Sequence, residues 1–355
     1  MNPYFCVLPF FGYEYNPKKG THCCLLPYNY DITTLRSDML SQRRSEYCQA
    51  CWKLEDQGLT SDRILKNSAL DFYWDKDILN IEELAKNGDY EPIMIKLMVS
   101  NKCNSTCITC NQASSTAWGH LYKQNNLTNH IIKTKVPAET INSLNYKNLV
   151  GVNFLGGEPF VDPITDFVLE QLIKENNTNC FVSFTTNGSV NFSKKQKLLL
   201  EKFKNLNIGV SIDGVGPVFE YIRYPLQWNT LLSNLTFFKE ITKNICVNPS
   251  ISNTNILYFN DLINWLDIEE LRFHYNTVVS PAHFKPSALP LTVKEQICNL
   301  PNSQIIKCFL GEAHTTNDDI NFKQFVEQIK FQDSLKGISM KNYLPEFYEL
   351  IKDYF

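Results

Sequence analysis

From Ile93 to Tyr275 the chain repeats one pattern, a short apolar run followed by an amphipathic stretch. Ile93–Val99, Leu149–Leu155, Cys180–Thr185, Ile208–Ile212, Ile245–Ile251 and Leu271–Tyr275 read as buried strands. Pro163–Lys174, Ser193–Phe203, Trp228–Ile241 and Tyr258–Trp265 read as the helices between them. Strand and helix in alternation imply parallel pairing through right-handed crossovers, an α/β fold. Six such units predict a partial (β/α)6 barrel rather than a closed eight-unit one, with an open sheet as the alternative. After Pro290 the pattern is helical, with Phe322–Phe331 and Leu344–Phe355 the best segments.

Cysteine placement divides the chain further. Cys6, Cys23, Cys24, Cys48 and Cys51 fall in the first 51 residues, whereas Cys180, Cys246, Cys298 and Cys308 are isolated. The expected organisation is a cysteine-rich module over 1–66, a connector over 67–90 that is helical from Asn80 to Asn87, a barrel over 91–290 and a helical tail over 291–355. Cys103, Cys107 and Cys110 lie within eight residues, directly after the first barrel strand, with C-x3-C-x2-C spacing. Thiolates are soft ligands suited to iron–sulfur clusters, and a cubane cluster normally takes four of them. Three leave one iron open to a small molecule. A structural zinc site would want a fourth ligand, and the nearest candidate, His120, falls on an expected helix.

Three further loops close strands and would meet the trio at the C-terminal face of a barrel. They are Gly156-Gly157-Glu158-Pro159, Thr186-Asn187-Gly188 and Ser211-Ile212-Asp213-Gly214. The cysteine trio after strand one, with Gly-Gly-Glu-Pro after strand two, resembles the radical S-adenosylmethionine (SAM) superfamily. That resemblance implies a [4Fe-4S] cluster on Cys103, Cys107 and Cys110 whose open iron is chelated by SAM. It further implies reductive cleavage of SAM to a 5′-deoxyadenosyl radical that abstracts hydrogen from substrate. Gly156, Gly157, Glu158 and Pro159 would receive the methionine end of SAM, the glycines by letting backbone approach. Resemblance to peptide-modifying members carries Ser211 and Arg223 over as SAM contacts; a guanidinium suits a carboxylate. Thr186 and Asn187 are turn residues expected to line the mouth. Asp213 reads either as a strand-end cap or as a catalytic base. One position departs from the family: Thr109 stands where an aromatic residue usually precedes the third cysteine.

The N-terminal cysteines, with Lys18–Cys24 and Cys48-x2-Cys51, resemble the half-size form, called twitch, of the auxiliary-cluster domain called SPASM. Trp52, Glu55, Gly58, Ser61 and Arg63 fit the radical SAM group that carries this module ahead of the barrel. The implied auxiliary ligands are Cys6, Cys23, Cys48 and Cys51, with Cys24 as the alternative to Cys23; a structural zinc site is the competing reading. Cys180 and Cys246 are expected to be small core residues.

Composition narrows the functional class. Net charge is −3, so no global basic field argues for nucleic acid. No apolar run reaches 18 residues and no secretory pattern opens the chain. Twelve cysteines without an export signal suggest metal ligation in a reducing cytoplasmic setting. The expected activity is hydrogen abstraction from a peptide or protein segment, with an external one-electron reductant such as flavodoxin or ferredoxin. Alternatives are oxidation of a small sugar-like metabolite, RNA modification, methyl transfer, or a non-catalytic iron–sulfur or zinc protein.

Overall fold

The computed structural model describes residues 2–17, 20–73, 78–88, 90–299, 304–310 and 318–355. Lys18, Lys19 and the Cys308 side chain lie outside the described residues. In chain order the principal elements are β1 (Gly12–Tyr15), α1 (Ile32–Leu40), α2 (Gln49–Asp56), α3 (Asp62–Tyr73), α4 (Ile78–Lys86), β2 (Met94–Met98) and α5 (Thr116–Gln124). Then come β3 (Gly151–Leu155), α6 (Pro163–Lys174), β4 (Phe181–Thr186), α7 (Lys194–Leu200), β5 (Leu206–Val210), α8 (Pro217–Ile222) and α9 (Trp228–Ile241). The chain continues with β6 (Asn244–Val247), β7 (Ser250–Ile251), α10 (Phe259–Ile268), β8 (Arg272–Phe273) and β9 (Asn276–Thr277). It finishes with α11 (Leu291–Cys298), α12 (Gln304–Leu310), α13 (Asp319–Lys336) and α14 (Pro345–Ile351). The α/β class and the helical C-terminal region agree with the sequence expectation.

Packing divides the chain into two compact units. The first comprises Met1–Ser100, Thr134–Phe184 and Ser193–Leu206; the second comprises Asn101–Lys133, Thr185–Phe192 and Asn207–Phe355. In the first unit β1, β2, β3 and β4 pair in parallel, with Gly12 opposite Met94, Met94 opposite Gly151, and Gly151 opposite Phe181. Alternation puts Ile95, Leu97, Val152 and Phe154 on one buried face, where the Phe154 and Phe184 rings stack at 4.8 Å. Strand β1 belongs to the cysteine-rich segment, so that segment is hydrogen-bonded into the same sheet as the first barrel strand. Its core joins Phe5, Val7, Phe10 and Phe11 to Leu35 and Met39 of α1 and Ile81 of α4. Helix α6 starts where Asp162 caps the Ile164 amide, and α7 starts at a capping box between Ser193 and Gln196.

In the second unit β5, β6 and β8 are parallel neighbours, and β7 pairs in parallel with β9. The strand expected over Ile245–Ile251 is split into β6 and β7. Pro249 has no amide hydrogen to give a ladder, and the break falls there. Strand order follows chain order within each unit, the singly wound arrangement of a barrel wall. Helix α13 packs Phe325 against Phe284 and against Phe347 of α14, at 5.7 and 6.3 Å between centroids. Among the described residues, no helix is long and apolar enough to cross a membrane.

Candidate metal centre

The cysteine loop belongs to the second unit, and its backbone is bonded to protein groups at almost every step. Thr106 and Ile108 donate their amides to the carbonyls of Tyr224 and Ile222, at 2.6 and 2.9 Å. The Cys103 amide donates to Thr116 Oγ1, the Ser105 carbonyl accepts from Ser115 Oγ, and the Cys107 carbonyl accepts from Trp118 Nε1 at 3.1 Å. Gln332 Nε2 of α13 donates to the Ile108 carbonyl at 2.9 Å. Ile108 and Trp118 are buried and anchor the loop. The Ser105 hydroxyl lies 3.3 Å from both Cys103 Sγ and Cys107 Sγ, drawing two thiols to one side of the loop. Burial, then the neighbouring Cys107, pushes the Cys110 thiol up to about 12. Metal loading there must displace a proton.

Of the other strand-end residues of this unit, Asn187 reaches the loop directly. Asn187 Nδ2 donates to Asn104 Oδ1 at 2.7 Å, and its own Oδ1 accepts the Ser189 amide. Thr186 Oγ1 accepts the Gly188 amide, and the Thr186 carbonyl accepts the Ser211 amide at 2.8 Å. Arg223 is almost buried. Its Nη1 lies 4.0 Å from Cys107 Sγ, and its Nε forms an ion pair, rather than a straight hydrogen bond, 2.9 Å from Asp213 Oδ2. Asp213 also accepts the Ser250 amide at 2.7 Å, while its carbonyl accepts Asn255 Nδ2. The Asp213 carboxylate therefore ties the guanidinium to the start of β7. Sequence reasoning singled out Asp213 and Arg223 but not their pairing, and it missed Asn104, Ser105, Trp118 and Gln332. None of these four carries a spacing signal.

The Gly156–Pro159 loop belongs to the first unit. Gly156 has φ +131°, and a Cβ there would stand 2.5 Å from the Ser100 carbonyl oxygen. The Gly157 amide donates to that same oxygen at 2.7 Å. The space left by the missing Gly156 side chain is thus taken by the backbone at the end of β2, a packing role the sequence did not reveal. Glu158 is buried and its carboxylate accepts the Phe160 amide. Pro159 is buried too, with its carbonyl accepting from Thr165 Oγ1.

A second cysteine set lies in the first unit. Cys6, Cys23, Cys48 and Cys51 line one small pocket together with Leu8, Pro9 and Arg63. Cys24 is not among the residues lining this pocket; together with Cys23 it lines a neighbouring groove with Thr21, Pro27 and Tyr28. Arg63 holds this pocket's wall. It donates from Nε and Nη2 to the Glu55 carboxylate, at 3.0 and 2.6 Å, and from Nη1 to the Phe5 carbonyl at 2.8 Å. Asn67 brackets the same stretch: its Nδ2 donates to the Phe5 carbonyl and its Oδ1 accepts the Val7 amide. Both residues beside Cys6 are therefore fixed by side chains of α3. Trp52 lies under the Arg63 guanidinium at 4.8 Å and donates to the Ser45 carbonyl. Burial pushes the Cys6 and Cys48 thiols up to about 12. The described cysteines form no disulfides among themselves. Cys180 is buried beside β4, and Cys246 is half-buried in β6.

Among the described residues, no three His, Cys, Asp or Glu side chains converge as a single-ion site. Three thiols are spread along one loop, soft donors suited to an iron–sulfur cluster, and four cysteines line one pocket.

Residues 93–229 match a family described as a 4Fe-4S single cluster domain. The chain is 29% identical over 198 residues to the radical SAM cyclopropyl synthase TigE of Paramaledivibacter caminithermalis, covering 51% of this chain and 39% of that one. It is 25% identical over 183 residues to an uncharacterized protein of Methanocaldococcus jannaschii, covering 48% of this chain and 57% of that one. It thus spans less than two thirds of either relative. Among solved structures, SuiB of Streptococcus suis aligns at a TM-score of 0.43 and 14% identity, over 85% of this chain and 68% of that one. The cysteine loop after β2 and the Gly-Gly-Glu-Pro loop after β3 both lie within the matched residues 93–229, and the chain is similar there to proteins of the radical SAM kind.

Proposed function

We propose that this chain is a radical SAM enzyme that abstracts a hydrogen atom from a peptide or protein segment. The observation that carries the reading is the loop itself: three thiols within eight residues on a backbone tied down by hydrogen bonds at Cys103, Ser105, Thr106, Cys107, Ile108 and Cys110, with the Arg223 guanidinium 4.0 Å from the middle thiol. When bound, a [4Fe-4S] cluster with SAM would supply reductive cleavage of the sulfonium and the hydrogen-abstracting radical. Cys103, Cys107 and Cys110 would hold the cluster. Asp213 would position Arg223, whose guanidinium lies beside Cys107. By the family resemblance, Gly156, Gly157, Glu158, Pro159, Thr186, Asn187, Ser211 and Arg223 are the proposed SAM contacts.

Cys6, Cys23, Cys48 and Cys51 are proposed to hold an auxiliary [4Fe-4S] cluster in a twitch-like module over 1–66. The resemblance of that module to the auxiliary domains of peptide-modifying members supports a peptide substrate. An external one-electron carrier such as flavodoxin or ferredoxin would supply the electron, in a reducing cytoplasm. The test is anaerobic reconstitution with iron and sulfide, then reductant and SAM. The wild-type protein should release 5′-deoxyadenosine, and Cys107→Ala should release none. Equal release by that variant would overturn the assignment. Deuterium transfer from a labelled peptide into 5′-deoxyadenosine would support the substrate class; transfer from a sugar alone would overturn it.

A further inference from the structure

Helix α13 lies beyond the family-matched residues 93–229, yet its last turn reaches the cysteine loop. Gln332 Nε2 donates to the Ile108 carbonyl, between Cys107 and Cys110, at 2.9 Å. One turn on, Lys336 Nζ donates to Gln332 Oε1 at 3.1 Å. The Lys336 ammonium also lies 4.8 Å over the Trp118 ring, whose Nε1 donates to the Cys107 carbonyl at 3.1 Å. Its second ring neighbour is Tyr224, at 6.0 Å. The Tyr224 carbonyl in turn accepts the Thr106 amide and Thr106 Oγ1. Lys336 thus touches three groups, Gln332, Trp118 and Tyr224, that each bond directly to the cysteine loop.

Lys336 is 7% exposed, and no described carboxylate lies within ion-pair distance of it. Its neighbour Asp333 is engaged elsewhere, accepting from Tyr221 Oη at 2.9 Å and from the Met340 amide at 2.7 Å. A buried ammonium without a carboxylate is expensive. Burial lowers its proton affinity to about 8, while Cys107 and then Asp333 act to hold the proton on. Such a site makes physical sense if a group of opposite charge belongs beside it. Three thiolates outweigh the positive charge of an iron–sulfur core, and each added electron makes that site more anionic.

We infer that α13 is a working part of the cluster site: Gln332 is a positioning residue that fixes the loop, and the Lys336 ammonium is the built-in counter-charge that favours the reduced cluster. The inference rests on the proposed cluster at Cys103, Cys107 and Cys110. A fixed cation near the cluster stabilises the added electron, and its field is little screened where water is excluded. Net charge around the cluster is one of the levers that set its potential.

The test is a redox titration of the reconstituted protein, followed by the spectrum of the reduced cluster, in a background where Cys48 and Cys51 are replaced by Ala so that only the loop cluster is read. Lys336→Met and Lys336→Gln remove the charge; Lys336→Arg keeps it. Both neutral variants should be harder to reduce, with the ratio of reduced to oxidised cluster at a fixed ambient potential falling about tenfold, or ~59 mV for a one-electron couple. Lys336→Arg should stay near the parent. If Lys336→Met fails to hold a cluster, Lys336→Gln, which keeps an N–H donor for Gln332 Oε1, supplies the reading. An unchanged potential in a cluster-loaded neutral variant would overturn the counter-charge. A shift of the same size in Lys336→Arg would overturn it as well, showing that packing rather than charge matters. Failure of the parent itself to bind iron at the loop would instead overturn the cluster assignment.

Discussion

Replacing Arg63 with Met should open the wall of the four-cysteine pocket. The guanidinium is bidentate to Glu55 and holds the Phe5 carbonyl, with the Arg63 and Glu55 side chains 9% and 13% exposed. Removing one partner of a fully buried pair costs about 3–5 kcal/mol. Residual solvent contact at Glu55 trims this to about 2–3 kcal/mol, since the stranded carboxylate can hydrate. The reporter is hydrogen exchange at the Val7 amide, which is bonded to Asn67 Oδ1 at 3.0 Å on the other side of Cys6. If exchange proceeds through local opening of this wall, it should speed up by about 30- to 150-fold. Glu55→Gln should give a smaller effect, and the double variant should fall well short of the sum, because the two residues share one network. The Arg63 and Ser61 bonds hold the Glu55 carboxyl below its usual range against the opposing pull of burial. Its contribution is therefore complete above the unfolded carboxyl range and is lost as the pH falls through the lowered folded value. Unchanged Val7 exchange in Arg63→Met at neutral pH, or strict additivity in the double variant, would refute the network as the source of the pocket's rigidity.

The remaining expectations concern the other loops. Gly156→Ala puts a side chain at φ +131° and within 2.5 Å of the Ser100 oxygen, so backbone strain of about 1–3 kcal/mol plus the clash should lower the unfolding midpoint measurably in urea. A midpoint equal to wild type would mean that the close approach of β2 and the Gly156 loop is relaxed at no cost. Cys23 lines both the four-cysteine pocket and the neighbouring groove, whereas Cys24 lines the groove and not the pocket. Cys24→Ala should therefore keep the wild-type iron content after reconstitution, while Cys23→Ala should lose the pocket's share; the reverse pattern would assign the ligand to Cys24.

Much of the fold could be read from the apolar runs, because strands buried on one face and helices with apolar stripes have different periods. Helices α6 and α9 fall on the expected bounds, Pro163–Lys174 and Trp228–Ile241. Strand β1 could not be read: Gly12–Tyr15 is four residues with a glutamate in the middle, and its partner β2 lies some eighty residues on. The candidate site was legible where residue types are rare and closely spaced, as in Cys103–Cys110. Its supports were not. Gln332 reaches Ile108 across 224 residues of sequence, and a Gln and a Lys four apart on a helix look like an ordinary solvated face. The glycines of the Gly156 loop announced a special backbone, but not that Ser100 would fill the space.

The two thiol sets differ in how their charges are balanced. At the four-cysteine pocket the cation is Arg63, and it is already neutralised by Glu55. At the loop, Arg223 is likewise paired, with Asp213. Each of these ion pairs presents little net charge to a metal group beside it, so its service is mainly geometric: one fixes the Phe5 peptide, the other aims a guanidinium at Cys107. Lys336 breaks the symmetry, because its nearest anion, Asp333, is engaged with Tyr221 and the Met340 amide. The loop therefore has beside it a buried ammonium with no described carboxylate within ion-pair distance. With the proposed cluster at the loop, an added electron would be favoured there by the aromatic-lined Lys336 ammonium, whose charge acts on the middle cysteine, Cys107.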